Sequence, residues 1–172
     1  MELVLRMDSR ACGELWRRHA DSLLLYATTI VGDRPAAEDV LQNVFVRLLA
    51  VATPPALESE SAYLFRAVRN EALNAIRSRR AAARAFERLF EGPRDEEAPD
   101  SENLDFGREV SLALLQLPRD EREAVVLKIW SDLSFPEAAQ VAGIPEKTLE
   151  HRYYRGLAAL KEKLGDLDHD GL

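Results

Sequence analysis

The chain has 172 residues, 47% hydrophobic and 31% charged, with a formal net charge of −7. That is enough for one ordinary domain or two small helical ones, and too much apolar character for global disorder. No apolar run approaches the ~20 residues that cross a bilayer, no signal peptide is visible at the N-terminus, and a cytoplasmic location without membrane insertion is the expectation.

Cys12 is the sole cysteine, which excludes an internal disulfide and a cysteine-rich metal site. It is expected to be a small, semi-buried residue. His19, His151 and His169 are scattered, so no metal and no cofactor are expected. No nucleophile–base set or phosphate loop stands out, so no catalytic residue is assigned and the chain is not expected to be an enzyme.

Glycine and proline fall between long stretches of helical periodicity, and strand-like alternation is nearly absent. A first helix is expected over about residues 9–31, where Leu15, His19, Leu23, Tyr26, Ala27 and Ile30 recur at three- and four-residue steps. Gly32-Asp33-Arg34-Pro35 breaks it, and Pro35 suits the first turn of a second helix over about 35–50. Val40, Leu41, Val44, Phe45 and Leu48 form that helix's apolar stripe, and Pro54-Pro55 ends it.

A third helix is expected over about 61–88, apolar at first and basic later. Seven arginines (66, 69, 77, 79, 80, 84 and 88) face only two glutamates (71 and 87) there, inside a negative chain. Arginine suits bidentate phosphate contacts, and Asn70 and Asn74, one turn apart, can offer amides to bases. The pattern fits a nucleic-acid surface and also fits a solvated amphipathic helix. Tyr63 and Phe65 fit core packing by their spacing, although aromatics beside arginines also suit unstacked bases.

From Glu91 to Asp105 seven acidic residues stand against Arg94 alone, with Gly92, Pro93 and Pro99 among them. This composition predicts a flexible acidic linker. Helical patterning resumes over about 104–117, and Pro118 opens a further helix that runs through Trp130.

The sharpest local signal follows. Ser134 and Glu137 have capping-box spacing, and Ala138, Ala139, Val141 and Ala142 give a short helix a close-packing face. Gly143 supplies the turn, Ile144 plugs the angle, and Pro145 starts a last helix with Leu149, Tyr153, Gly156, Leu157 and Leu160 on one face. This is the pattern of a helix-turn-helix, whose second helix enters the major groove. Its outward candidates are Glu146, Lys147, Thr148, Glu150, His151, Arg152 and Arg155, with Arg152 and Arg155 suited to phosphate or guanine and Thr148 and His151 to base edges. A compact helical corner with a solvated charged face has the same spacing.

With both halves read, the chain resembles the bacterial extracytoplasmic-function sigma factors from about Leu15 to Leu164. Residues 33–48 resemble the family helix that docks on the clamp of the polymerase β′ subunit. The resemblance implies that Asp39, Gln42 and Asn43 belong to that interface, and Phe45 to it or to its packing. Asn43 stands at a usual Glu. Residues 62–77 resemble the −10 recognition segment, with Tyr63 at a usual Trp. There Asn70 would lie near the captured base, and Arg66, Arg69, Arg77, Arg79 and Arg80 along the nearby backbone. Residues 117–127 and the helix-turn-helix resemble the −35 domain, implying Lys147, Thr148, His151, Arg152 and Arg155 as duplex contacts. Asp132 stands at a usual Gly, Lys147 at a usual Gly, Glu150 at a usual Lys and His151 at a usual Ser. A carboxylate at Glu150 repels phosphate but can accept from a cytosine amine.

The resemblance implies an all-α protein of two small helical domains: residues 1–90 for the clamp and the −10 element, an acidic linker over 91–108, and residues 109–172 with the helix-turn-helix for −35. It implies core RNA polymerase (β′ clamp and β subunits) and promoter DNA as partners, and an anti-sigma factor as a family expectation. A self-sufficient helix-turn-helix regulator is the alternative; the net negative charge and the lack of a visible dimerisation helix weigh against it.

Overall fold

The computed structural model describes residues 9–50, 59–87 and 108–169. Among these the protein is entirely helical: α1 (Ser9–Val31), α2 (Arg34–Ala50), α3 (Glu60–Glu87), α4 (Arg108–Leu115), α5 (Arg119–Trp130), α6 (Phe135–Ala142) and α7 (Glu146–His169). The expected acidic linker lies outside the described residues except for Arg108, which begins α4, and so do Pro54-Pro55 and residues 104–107.

Helices α1, α2 and α3 pack against one another, each burying one apolar stripe. Leu23, Tyr26 and Ala27 of α1, Val40 and Leu41 of α2, and Leu64, Phe65 and Val68 of α3 are essentially inaccessible to water. Phe65 is therefore a core residue and not a base platform, and the half-buried Tyr63 packs against the same core. Cys12 is buried too. Gly32, at φ 92°, ends α1 by donating its N–H to Thr28 O at 2.9 Å. Asp33 then caps α2, which starts at Arg34, one residue ahead of Pro35; it accepts the Ala36 N–H at 2.8 Å and, through its carbonyl, the Ala37 N–H at 3.1 Å.

Helices α4 to α7 form the second group, with α5 and α7 in the most extensive contact. Their crossing is close because Gly156 has no side chain: a Cβ there would lie 2.8 Å from Val125 Cγ2 and 3.1 Å from Glu121 O. The α6 start is the predicted capping box, with Ser134 N–H donating to Glu137 Oε2 at 2.8 Å and Glu137 N–H donating to Ser134 Oγ. Those bonds from Ser134 hold the Glu137 carboxyl below the usual carboxylate range. Its contribution to the cap is thus complete above that range and fades as pH falls through the lowered value. Gly143, at φ 68°, closes α6 in the left-handed conformation. Leu149 N–H donates to Pro145 O at 3.1 Å, so Pro145 sits just ahead of α7.

Asp132 is the one non-glycine residue with positive φ, at 55°, among the described residues. It occupies the position where the family pattern has Gly, and the backbone supplies the reason. The left-handed region costs an L-residue roughly 1–2 kcal/mol, less for Asp, whereas Gly loses about 0.5–1 kcal/mol of extra chain entropy on folding. Asp132→Gly is expected to raise stability by about 0.5 kcal/mol. Urea denaturation with an unchanged slope and a higher midpoint would show it; a lower midpoint would mean the carboxylate matters more than the backbone.

The two groups also touch each other. Helix α1 packs on α5, and α3 on α6. Ser59, which caps α3, adds a side-chain hydrogen bond to Glu137 at the start of α6.

Candidate polymerase and nucleic-acid interfaces

Helix α2 carries two faces. Its buried stripe includes Phe45, whose ring meets that of Trp16 edge-on at 4.9 Å between centroids. Phe45 is thus a packing residue that fixes Trp16, while Asp39, Gln42 and Asn43 are exposed. Asn43 Nδ2 donates to Glu71 Oε1 at 3.2 Å, and Arg47 Nη1 to Glu71 Oε2 at 2.6 Å. A Glu at position 43 would face the largely buried Glu71 carboxylate; Asn satisfies it. Sequence reasoning missed Val46 and Leu49. They are 65% and 45% exposed and lie one turn apart on the outer face of α2, and Trp16, in contact with Phe45, is 40% exposed. Their signal was present as apolar residues off the buried stripe.

Helix α3 presents Arg66, Asn70, Asn74, Arg77, Arg79 and Arg80 to solvent. Arg77 Nη1 donates to Asn74 Oδ1 at 2.8 Å, and Arg79 Nη1 to Asp33 Oδ2 at 2.9 Å. Burial raises the Asp33 pKa, but the Arg79 bond and the Ala36 N–H outweigh it and leave the carboxyl below its usual range. Arg69 differs from its neighbours. It is half-buried, and its Nε donates to Glu123 Oε1 of α5 at 2.8 Å. Arg66, Asn70, Asn74 and Arg77 recur at three- and four-residue steps on one open face with Arg80 at its edge, while Arg79 turns to Asp33 of α2 and Arg69 faces the second group of helices.

On α7, Lys147 and His151 are exposed and Thr148 is half-buried. Arg152 Nη2 pairs with Asp120 at 2.8 Å and Arg155 Nη2 with Glu121 at 2.9 Å. The Glu121 side chain is only 10% exposed, so Arg155 partly neutralises a carboxylate at the α5–α7 crossing. The candidate duplex contacts thus lie on one helix, but two of its cations already have acidic partners. Tyr154, 59% exposed, stands among them against the rings of Tyr153 and Phe135. Among the described residues no group of His, Cys, Asp and Glu could hold a metal, and no helix is long and apolar enough to cross a membrane.

These surfaces coincide with known modules. The model for sigma-70 region 2 matches residues 15–82, and that for sigma-70 region 4 matches residues 107–160. The RNA polymerase sigma factor CarQ of Myxococcus xanthus is 30% identical over 90% of this chain and 90% of its own. Among solved structures, CnrH, determined in complex with the cytosolic domain of CnrY, is 28% identical, with a TM-score of 0.61 over 92% of this chain and 90% of that one. The sigma factor RpoE of Bartonella quintana, determined with the anti-sigma factor NepR, shares the fold at a TM-score of 0.67 and 24% identity, over 89% of this chain and 95% of that one. The helical fold, the two matched regions and the full-length likeness lead to one assignment: the chain belongs to the extracytoplasmic-function sigma factors, which bind core RNA polymerase and direct promoter-specific initiation.

Proposed function

We propose a division of labour within this sigma factor. Residues 1–90 bind the polymerase clamp and capture the opened −10 strand, residues 91–108 connect, and residues 109–172 read duplex DNA at −35. The protein works in the cytoplasm as a non-catalytic specificity subunit. The observation that carries this reading is the open α3 face, where Asn70 stands in a row of arginines on a chain of net charge −7. Such a chain does not bind a duplex tightly alone. Polymerase supplies the tether, and two weak DNA sites joined in one assembly act at raised effective concentration.

Within this division, Asp39, Gln42 and Asn43, with Val46 and Leu49, meet the clamp, and Phe45 packs beneath them. Asn70 takes the −10 base while Arg66, Arg69, Arg77, Arg79 and Arg80 follow the backbone. Lys147, Thr148, His151, Arg152 and Arg155 meet the −35 duplex, which requires Arg152 and Arg155 to exchange or share Asp120 and Glu121. An anti-sigma factor is a further partner, expected of the family.

Run-off transcription with core polymerase and a genomic promoter library tests the reading. Asn70→Ala is expected to slow promoter opening by about tenfold, the scale of one base contact, while core binding is unchanged. Equal loss of core binding and opening would contradict its place at the captured base.

A further inference from the structure

Asn70 and Glu71 are neighbours on α3 with opposite surroundings. Asn70 is exposed on the open face, and Glu71 is turned inward and only 8% exposed. Successive residues of a helix point about 100° apart, so no rotation of α3 moves one without the other. Whatever holds Glu71 therefore sets the direction of Asn70.

Two side chains of α2 hold it. Asn43 Nδ2 donates to Glu71 Oε1 at 3.2 Å and Arg47 Nη1 to Oε2 at 2.6 Å, so each carboxylate oxygen has its own donor. Asn43 and Arg47 stand one turn apart on α2 and grip the carboxylate together. The Arg47 side chain is 66% exposed and that of Glu71 10%, so the arginine reaches in from solvent to a carboxylate that water barely touches. Arg79 and Asp33 make a second link between α3 and the start of α2, about two turns further along α3.

Apolar packing alone would leave α3 some freedom. The hydrophobic effect has no direction, and α2 and α3 share the least extensive of the three helix contacts in this group. Hydrogen bonds to a charged group are short and directional. A side-chain tip stands about 6 Å from the helix axis, so a rotation of about 10° moves it by about 1 Å. A binding group must be held within roughly 0.5 Å to keep its partner. Such a slip would cost Asn70 its base while leaving the fold intact.

We propose that Glu71 is a positioning residue for −10 recognition: gripped by Asn43 and Arg47 of the polymerase-facing helix, it fixes the rotation of α3 and so aims Asn70 at the captured base. The proposal rests on the reading of Asn70 as the base contact. It gives Asn43 a task besides clamp docking, performed through its amide donor. The helix that meets polymerase thereby orients the helix that meets DNA.

The test measures promoter opening by holoenzyme at saturating core polymerase. It uses the promoter that run-off transcription selects, and versions with each −10 base changed singly. The ratio of opening rates gives the discrimination at each position, and Asn70→Ala marks the captured base as the position where the ratio falls most. Glu71→Ala is expected to lower the ratio there about fivefold, part of the roughly tenfold that one base contact supplies. Were Glu71 only a nearby negative charge, its removal would favour DNA of every sequence alike and leave the ratios unchanged. A variant that merely folded less well would lower the amount of active holoenzyme and not the ratio. Asn43→Glu, which sets two carboxylates face to face, should lower the ratio as well. Adding Glu71→Gln to it should bring the ratio back to within about twofold of wild type, because amide and carboxylate have then changed places. An unchanged ratio in Glu71→Ala, or no recovery in the exchanged pair, overturns the proposal. Should Glu71→Ala lose helical circular dichroism, Arg47→Met takes its place, and no fall in the ratio there overturns it. If Asn70→Ala leaves every ratio unchanged, the reading of Asn70 falls. A loss in Glu71→Ala that the exchange repairs then means that Glu71 aims another α3 side chain, and no loss at any position overturns its positioning role.

Discussion

Gly156→Val is expected to make the second group of helices melt well before α1, α2 and α3. The usual ranking of residues points the other way, because Gly in a helix interior costs about 1 kcal/mol relative to Ala. The crossing geometry decides against it. A single Cβ would lie 2.8 Å from Val125 Cγ2 and 3.1 Å from the Glu121 carbonyl. Val125 is fully buried and Glu121 O belongs to the α5 backbone, so neither neighbour can swing aside. Overpacking of this kind costs roughly 1–3 kcal/mol. For Ala the propensity gain offsets about 1 kcal/mol of that, and a modest loss remains. Valine adds two methyl groups at the same contact and recovers less propensity, so about 4 kcal/mol is expected. That is a large share of the ~5–15 kcal/mol that holds a typical domain together. It would also release the Arg155–Glu121 pair, which spans the same crossing. Thermal melting by far-UV circular dichroism should show an early transition in Gly156→Val. A single transition at the wild-type temperature would mean that α7 can slide along α5.

The helix-turn-helix was legible because its signals are local. Ser134, Glu137, Gly143 and Pro145 each act within four residues of their own position, and each was found in its expected role. The apolar stripes of α1 to α3 were legible for a related reason, since burial repeats at the helical period. Phe65 resolved as core on that ground. What stayed hidden depends on pairs distant in sequence. Glu123 looks like any surface acid beside Arg122, and nothing near it announces Tyr26 or Arg69. Tyr26 was visible as an apolar ring in a stripe, but its hydroxyl's destination was not. The same limit applies to Arg152 and Arg155, whose carboxylate partners sit on another helix. Charge along a helix shows that cations are present; only the packing shows which of them are already paired.

Val46→Asp is expected to weaken core polymerase binding by about 100-fold, or about 2.8 kcal/mol, with the fold intact. Val46 is 65% exposed, so the folded protein has little to lose from the change, and exposed substitutions usually shift stability by less than ~0.5 kcal/mol. The loss falls on docking. Val46 and Leu49 project from the outer face of α2, and the exposed Trp16 is held by its edge-on contact with Phe45 of the same helix. In the proposed clamp contact Val46 stands on the same helix face as Asp39, Gln42 and Asn43, and a group fully desolvated there costs more to change than one at the solvated rim. An aspartate there would have to be desolvated without a partner. Gln42→Ala, at the solvated edge of the proposed contact, should cost much less. Competition for core polymerase against a labelled sigma factor measures both. Equal losses for the two variants would place the binding energy on the polar rim. Unchanged binding of Val46→Asp would remove the outer face of α2 from the polymerase contact.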